Sequence, residues 1–171
     1  MTKGMSVKFH HTLLKVWHAW LAGSFLVAYL TADENTFSMH QFAGYAVLTA
    51  IVVRLLSGVL APPGSPLRLP RPDIKATAIW FHFRRGRHPL FAWVAAALLI
   101  AVGLAAASGA IADFASWFED VHEVIVDAAL WVIFGHLAFV LFMFGGKRFL
   151  RRAVDWLAKA RPSTPSRENG L

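Results

Sequence analysis

His122-Glu123-Val124-Ile125-Val126-Asp127-Ala128-Ala129-Leu130-Trp131-Val132-Ile133-Phe134-Gly135-His136 is apolar enough to sit in a bilayer, yet it begins and ends with histidine. On an α-helix, residues fourteen apart differ by only about 40° in direction and lie ~21 Å apart along the axis. One helix face therefore carries two imidazoles at two depths of a membrane. Ionisable side chains inside lipid are costly and mark function by default.

The rest of the chain suits that environment. Of its 171 residues, 57% are hydrophobic. Four apolar runs, at 12–31, 39–60, 90–107 and 122–144, are each long enough for a hydrocarbon core of ~30 Å. The first is read as a retained helix, because it lacks a small-residue cleavage site after a short apolar core. Residues 32–36 form a polar turn, with Ser38 expected to cap the second helix. Ala61-Pro62-Pro63-Gly64 ends that helix, and Ser108-Gly109 is expected to end the third. Residues 73–83 mix aromatics with Lys75 and His82, which suits either a short interfacial helix or an irregular loop. Residues 148–159 read as a basic amphipathic helix and 162–171 as a disordered tail. The domain organisation expected is an N-terminal cytoplasmic segment (1–11), a transmembrane domain (12–146) and a basic cytoplasmic tail (147–171).

Cation placement gives the orientation. The formal net charge is +7. The N-terminal segment holds Lys3, Lys8 and Lys15, the middle loop Arg68, Arg71, Lys75, Arg84, Arg85 and Arg87, and the tail seven more cations. The loops near 32–36 and 108–120 hold none, carrying Asp33, Glu34, Asp113, Glu119 and Asp120 instead. The positive-inside rule puts both termini and the middle loop in the cytoplasm. This distribution favours a membrane over nucleic acid as the partner of the positive charge. No cysteine is present, so disulfides, thiolate-held iron–sulfur clusters and covalently attached c-type haem are excluded.

Depth then pairs the histidines. His18 and His136 fall in the cytoplasmic half, whereas His40 and His122 begin their helices near the outer face. Each pair draws on two helices, as a bis-imidazole site inside a bundle requires. Two axial nitrogens leave no open position on a haem iron, which suits electron transfer rather than oxygen chemistry. Zinc fits less well, since two histidines without a third ligand do not complete a tetrahedral site. Taken singly, His40 and His122 read equally well as helix-end or interfacial residues; the depth match across four positions favours haem.

Further polar residues accompany these four. Arg54 follows His40 by fourteen positions on nearly the same face, where a haem propionate would suit its guanidinium, although snorkelling to the cytoplasm is feasible. Lys15 is a weaker candidate for the same role. Asp127 sits five positions after His122, about 140° around the helix, and so is expected to face away from the histidine stripe. It suits either a proton relay from a quinol or a polar contact with a neighbouring helix. His11 shares a face with His18 and is a candidate for touching a quinone head group. His10, His82 and His88 read as solvated or interfacial. Gly44 and Gly135 would let a flat macrocycle approach, though small residues also serve helix packing.

The segments Trp17-His18-Ala19-Trp20, Met39-His40-Gln41-Phe42-Ala43-Gly44-Tyr45, Arg54-Leu55-Leu56-Ser57-Gly58, Gly86-Arg87-His88-Pro89-Leu90 and the His122 to His136 helix together resemble the bacterial cytochrome b561 family. That family is related to the b-type cytochrome subunits of nickel–iron hydrogenases. The resemblance covers roughly residues 10–150 and implies an all-α, antiparallel four-helix membrane bundle. It also implies two b haems held by His18, His40, His122 and His136. Asp127 departs from the asparagine that family members often carry. The extra helix usual in hydrogenase subunits is absent, which favours a stand-alone cytochrome.

The function expected is a respiratory-chain electron-transport protein of the bacterial inner membrane. It would pass electrons between the quinone pool, ubiquinone or menaquinone, and an outer-face redox protein such as a c-type cytochrome. Membrane lipid is an expected partner and a second copy of the chain, as a homodimer, a candidate one. Alternatives are an anchor and electron-entry subunit of a larger dehydrogenase, superoxide oxidation with quinone as acceptor, and a small transporter or structural membrane protein. The acidic outer loops rank superoxide lower, since they repel an anion.

Overall fold

The chain's structure, a computed structural model, describes residues 2–69, 71–75, 77–78 and 90–146, with the side chains of 2–7, 144 and 146 excepted. Most of the expected interfacial helix, together with His82, His88 and the whole basic tail, lies outside the described residues. Among the described residues, four long helices follow in order: α1 (Thr2–Leu30), α2 (Phe37–Leu60), α3 (Leu90–Ala112) and α4 (Glu119–Val140). Short 3-10 turns at Glu34–Thr36 and Ser116–Phe118 precede α2 and α4, and a π-helical turn at Leu141–Gly146 continues α4. Among the described residues there is no strand.

All four helices are long and apolar enough to cross a membrane, over Lys8–Leu30, Glu34–Leu60, Leu90–Ala112 and Ser116–Met143. The chain is thus a multi-pass membrane protein by the length and composition of its helices. Large apolar side chains such as Leu60, Ile100, Leu104 and Trp131 point outward, as a lipid-facing surface requires. The chain divides into two compact units, Met1–Val132 and Ile133–Leu171, with the boundary inside α4.

Helix boundaries differ from the sequence reading at three ends. α1 begins at Thr2, so residues 2–11 continue the first helix. Thr36, not Ser38, holds the N-cap position of α2 and makes no side-chain capping bond. Its hydroxyl instead donates back to the carbonyls of Thr31 (3.0 Å) and Asp33 (3.3 Å), which closes the turn between α1 and α2. α3 runs through Ser108-Gly109 to Ala112. Ser108 can stay helical because its hydroxyl donates to the Ala105 carbonyl at 3.0 Å, and glycine is tolerated in membrane helices.

The core is built from small residues. On α2, Ala43, Val47, Ala50, Ile51, Arg54 and Gly58 are buried, at spacings of three and four that trace one stripe. Small side chains let helix backbones approach closely, and that is how membrane helices gain contact without a hydrophobic driving force between them. Against this stripe, the Trp17 indole N–H of α1 donates to the Ala50 carbonyl at 2.7 Å, and His40 reaches the Ala28 carbonyl at 2.7 Å. The two contacts come in opposite order along α1 and α2. From α3, Val102, Ala105 and Ser108 are buried, and Gly103 faces Ile51 closely enough that an added Cβ would meet its Cγ2 at 3.6 Å.

Candidate functional site

A cavity of about 750 Å³ opens among α1, α2, α3 and the first turns of α4, within the range of small-molecule and cofactor sites. His40 and His122 both line it. Their ring centroids are 6.3 Å apart and their planes are inclined at 68°. The structure thus brings together the two histidines that depth alone had paired at this end of the helices.

Each imidazole is tied back through Nδ1. His40 Nδ1 lies 2.7 Å from the Ala28 carbonyl, an acceptor only, so this nitrogen carries the proton. His122 Nδ1 lies 2.9 Å from Ser108 Oγ. The Ser108 hydroxyl proton is committed to the Ala105 carbonyl, so its oxygen accepts from His122 Nδ1–H. In its neutral form each ring then holds the Nε2 lone pair free of the tether. A metal-ligating histidine is oriented in this way, its second ring N–H given to a carbonyl or other acceptor.

The walls around the pair are shaped by small residues and carboxylates. A Cβ added to Gly109 would stand 3.0 Å from His122 Cε1, so the glycine is a seat for that ring. Gly44, one turn after His40, lines the cavity with nothing within 4 Å of an added Cβ. Glu119, His122, Glu123, Val126 and Asp127 line it from α4, spaced by three and four residues. This corrects the expectation for Asp127. It is about 140° from His122, but the cavity is wide enough that the two residues form opposite edges of one lining face.

Asp113, in the turn after α3, accepts hydrogen bonds from two residues of α2. Gln41 Nε2 donates to Oδ1 at 3.0 Å and the Tyr45 hydroxyl to Oδ2 at 2.8 Å. All three residues line the cavity. Sequence reasoning missed this group, as it missed Ser108 and Gly109. One signal was present for Ser108: it is the polar exception in an alanine–leucine helix, and it mirrors His122 about the turn at residue 115.

The remaining site residues lie elsewhere. His18 is on α1 beside Trp17, their ring centroids 6.5 Å apart, and is exposed, as are Lys15 and His11. His136 is on the last turns of α4, in the second unit. Arg54 is buried, with 7% of its surface exposed. Its guanidinium donates from Nη1 to the Leu67 carbonyl at 2.6 Å and from Nη2 to the Arg68 carbonyl at 3.4 Å, and it lies 5.7 Å from the Trp17 ring centre. The burial of this charge is thus compensated by carbonyls of the loop after α2 and by an aromatic face.

No family model, curated protein or solved structure matches the chain.

Proposed function

We propose that the chain is a dihaem b-type cytochrome of the bacterial inner membrane, with His40 and His122 holding one haem and His18 and His136 the other. The observation that carries this reading is the tethered His40–His122 pair. Two imidazoles on opposite sides of one metal, with metal–nitrogen bonds of about 2.0–2.1 Å, put their ring centroids roughly 6 Å apart. The pair's spacing of 6.3 Å matches this, and the tethers on Nδ1 leave Nε2 as the ligand atom. Among the described residues, no three of histidine, cysteine, aspartate or glutamate converge as candidate metal ligands. A donor set of two imidazoles suits a metal whose remaining ligands come from a macrocycle.

Haem held by these histidines would supply one-electron exchange. The protein's part is to fix the ligands and shape the cavity. Ser108 and the Ala28 carbonyl hold the tautomers, and Gly44 and Gly109 leave space beside the rings. The second pair rests on matched depth and on the family resemblance. Arg54 spends two of its five N–H groups on loop carbonyls, which leaves donors for a propionate; Lys15 is the weaker candidate.

The charge distribution supports an antiparallel four-helix bundle with both termini in the cytoplasm. In that orientation the His40–His122 site would lie toward an outer-face redox protein and the His18–His136 site toward a quinone, His11 being the candidate head-group contact. Asp113, Glu119, Glu123 and Asp127 line the outer cavity, which favours a cationic partner such as a basic c-type cytochrome over superoxide. A reduced-minus-oxidised spectrum with haem quantitation tests the assignment, and a salt-dependent reduction assay of cytochrome c against superoxide tests the partner. A large subunit co-purifying in stoichiometric amount would favour the dehydrogenase-anchor alternative.

A further inference from the structure

We infer that Asp113 is a positioning residue that fixes how the His40 and His122 imidazoles face each other. This inference rests on the proposal that the two rings share a haem. The Asp113 carboxylate ends a short mechanical path between them. Gln41, the residue after His40, and Tyr45, one turn further along α2, donate to its two oxygens at 3.0 and 2.8 Å. The Asp113 backbone N–H donates to the Gly109 carbonyl at 3.1 Å, and Gly109 is the seat of the His122 ring. A single turn of chain therefore joins the α2 side of the cavity to the surface against which His122 rests.

The carboxylate suits this task better than a neutral side chain. It is acceptor-only with two oxygens, so it can take both α2 donors at once, and charge-assisted hydrogen bonds are stronger than neutral ones. Gln41 and Tyr45 are four apart, so they share one face of α2, and gripping both resists rotation of that helix as well as translation. His40 directly precedes Gln41, about 100° around the helix, on the adjoining face of α2. Rotation of α2 would swing its imidazole plane relative to that of His122.

The test is electron paramagnetic resonance of the oxidised, detergent-solubilised full chain, since low-spin ferric haem reports the angle between its axial imidazole planes. Asp113→Ala should retain two haems per chain, shift the low-spin signal of one, and move that haem's midpoint potential while the other stays in place. The double variant Gln41→Leu/Tyr45→Phe removes the same two bonds from the α2 side and should shift the same signal. Adding Asp113→Ala to that double variant should shift it little further. An unchanged signal and potential in Asp113→Ala, or in the double variant should the first not fold, overturns the positioning role while leaving the haem assignment standing. A wild-type chain without haem overturns the reading beneath it.

Discussion

Ser108 Oγ lies 2.9 Å from His122 Nδ1, and its own proton is given to the Ala105 carbonyl. A buried hydroxyl near the end of an alanine-rich helix thereby sets which nitrogen of a neighbouring helix's imidazole is free. Ser108→Ala removes that acceptor, and the loss of such a ligand-orienting partner typically weakens metal affinity by roughly 10–100-fold. Haem retention at one site should fall accordingly while the other stays filled. Ser108→Thr, which keeps the hydroxyl, should lose much less. Haem titration of purified variants separates the two.

Gly109 and Gly44 make opposite steric predictions. A methyl on Gly109 meets the His122 ring at 3.0 Å, so Gly109→Ala should displace that imidazole by a few tenths of an ångström. The expected readout is a shift in one haem's absorbance and potential. A methyl on Gly44 enters open space, so Gly44→Ala should be nearly silent, whereas Gly44→Phe should fill the cavity and lower haem content. The pairing of a silent and an excluding substitution at one position distinguishes cavity filling from general loss of stability.

The apolar helices and the closeness of His40 and His122 were legible in the sequence because hydropathy and helical period are properties of the chain itself. The tethers were not, because they join residues distant along the chain: His40 to Ala28, His122 to Ser108, and Gln41 and Tyr45 to Asp113. A carbonyl acceptor such as that of Ala28 leaves no mark on side-chain identity at all. α3 runs past Ser108-Gly109 for a related reason, since serine and glycine favour turns in water but not where the hydroxyl bonds within its own helix. Helical period places Asp127 about 140° from His122, and the width of the cavity brings it onto the lining face.

Arg54 offers a test of loop anchoring. Its guanidinium holds the carbonyls of Leu67 and Arg68, and hydrogen bonds to charged groups are worth about 1.5–3 kcal/mol. Arg54→Leu should lower the thermal midpoint of the solubilised protein by a corresponding amount. Arg54→Lys should recover part of the loss, because an ammonium lacks the fork that reaches two carbonyls. If haem content stays at wild-type level in Arg54→Leu, the residue serves the loop alone; loss of one haem adds the propionate role.

His136 and His18 are assigned to one haem, so His136→Ala and His18→Ala should each abolish the same spectral component. That component should differ from the one lost in His122→Ala and His40→Ala. Loss of different components from the first two variants contradicts their pairing and, with two haems in all, the assignment of the second pair as well.

The most direct measurement is a reduced-minus-oxidised spectrum of the purified chain, with haem quantified against protein, for the wild type and for His122→Ala. The account predicts two b-type haems per wild-type chain and one in the variant. A colourless wild type, or a variant that keeps both haems, contradicts it.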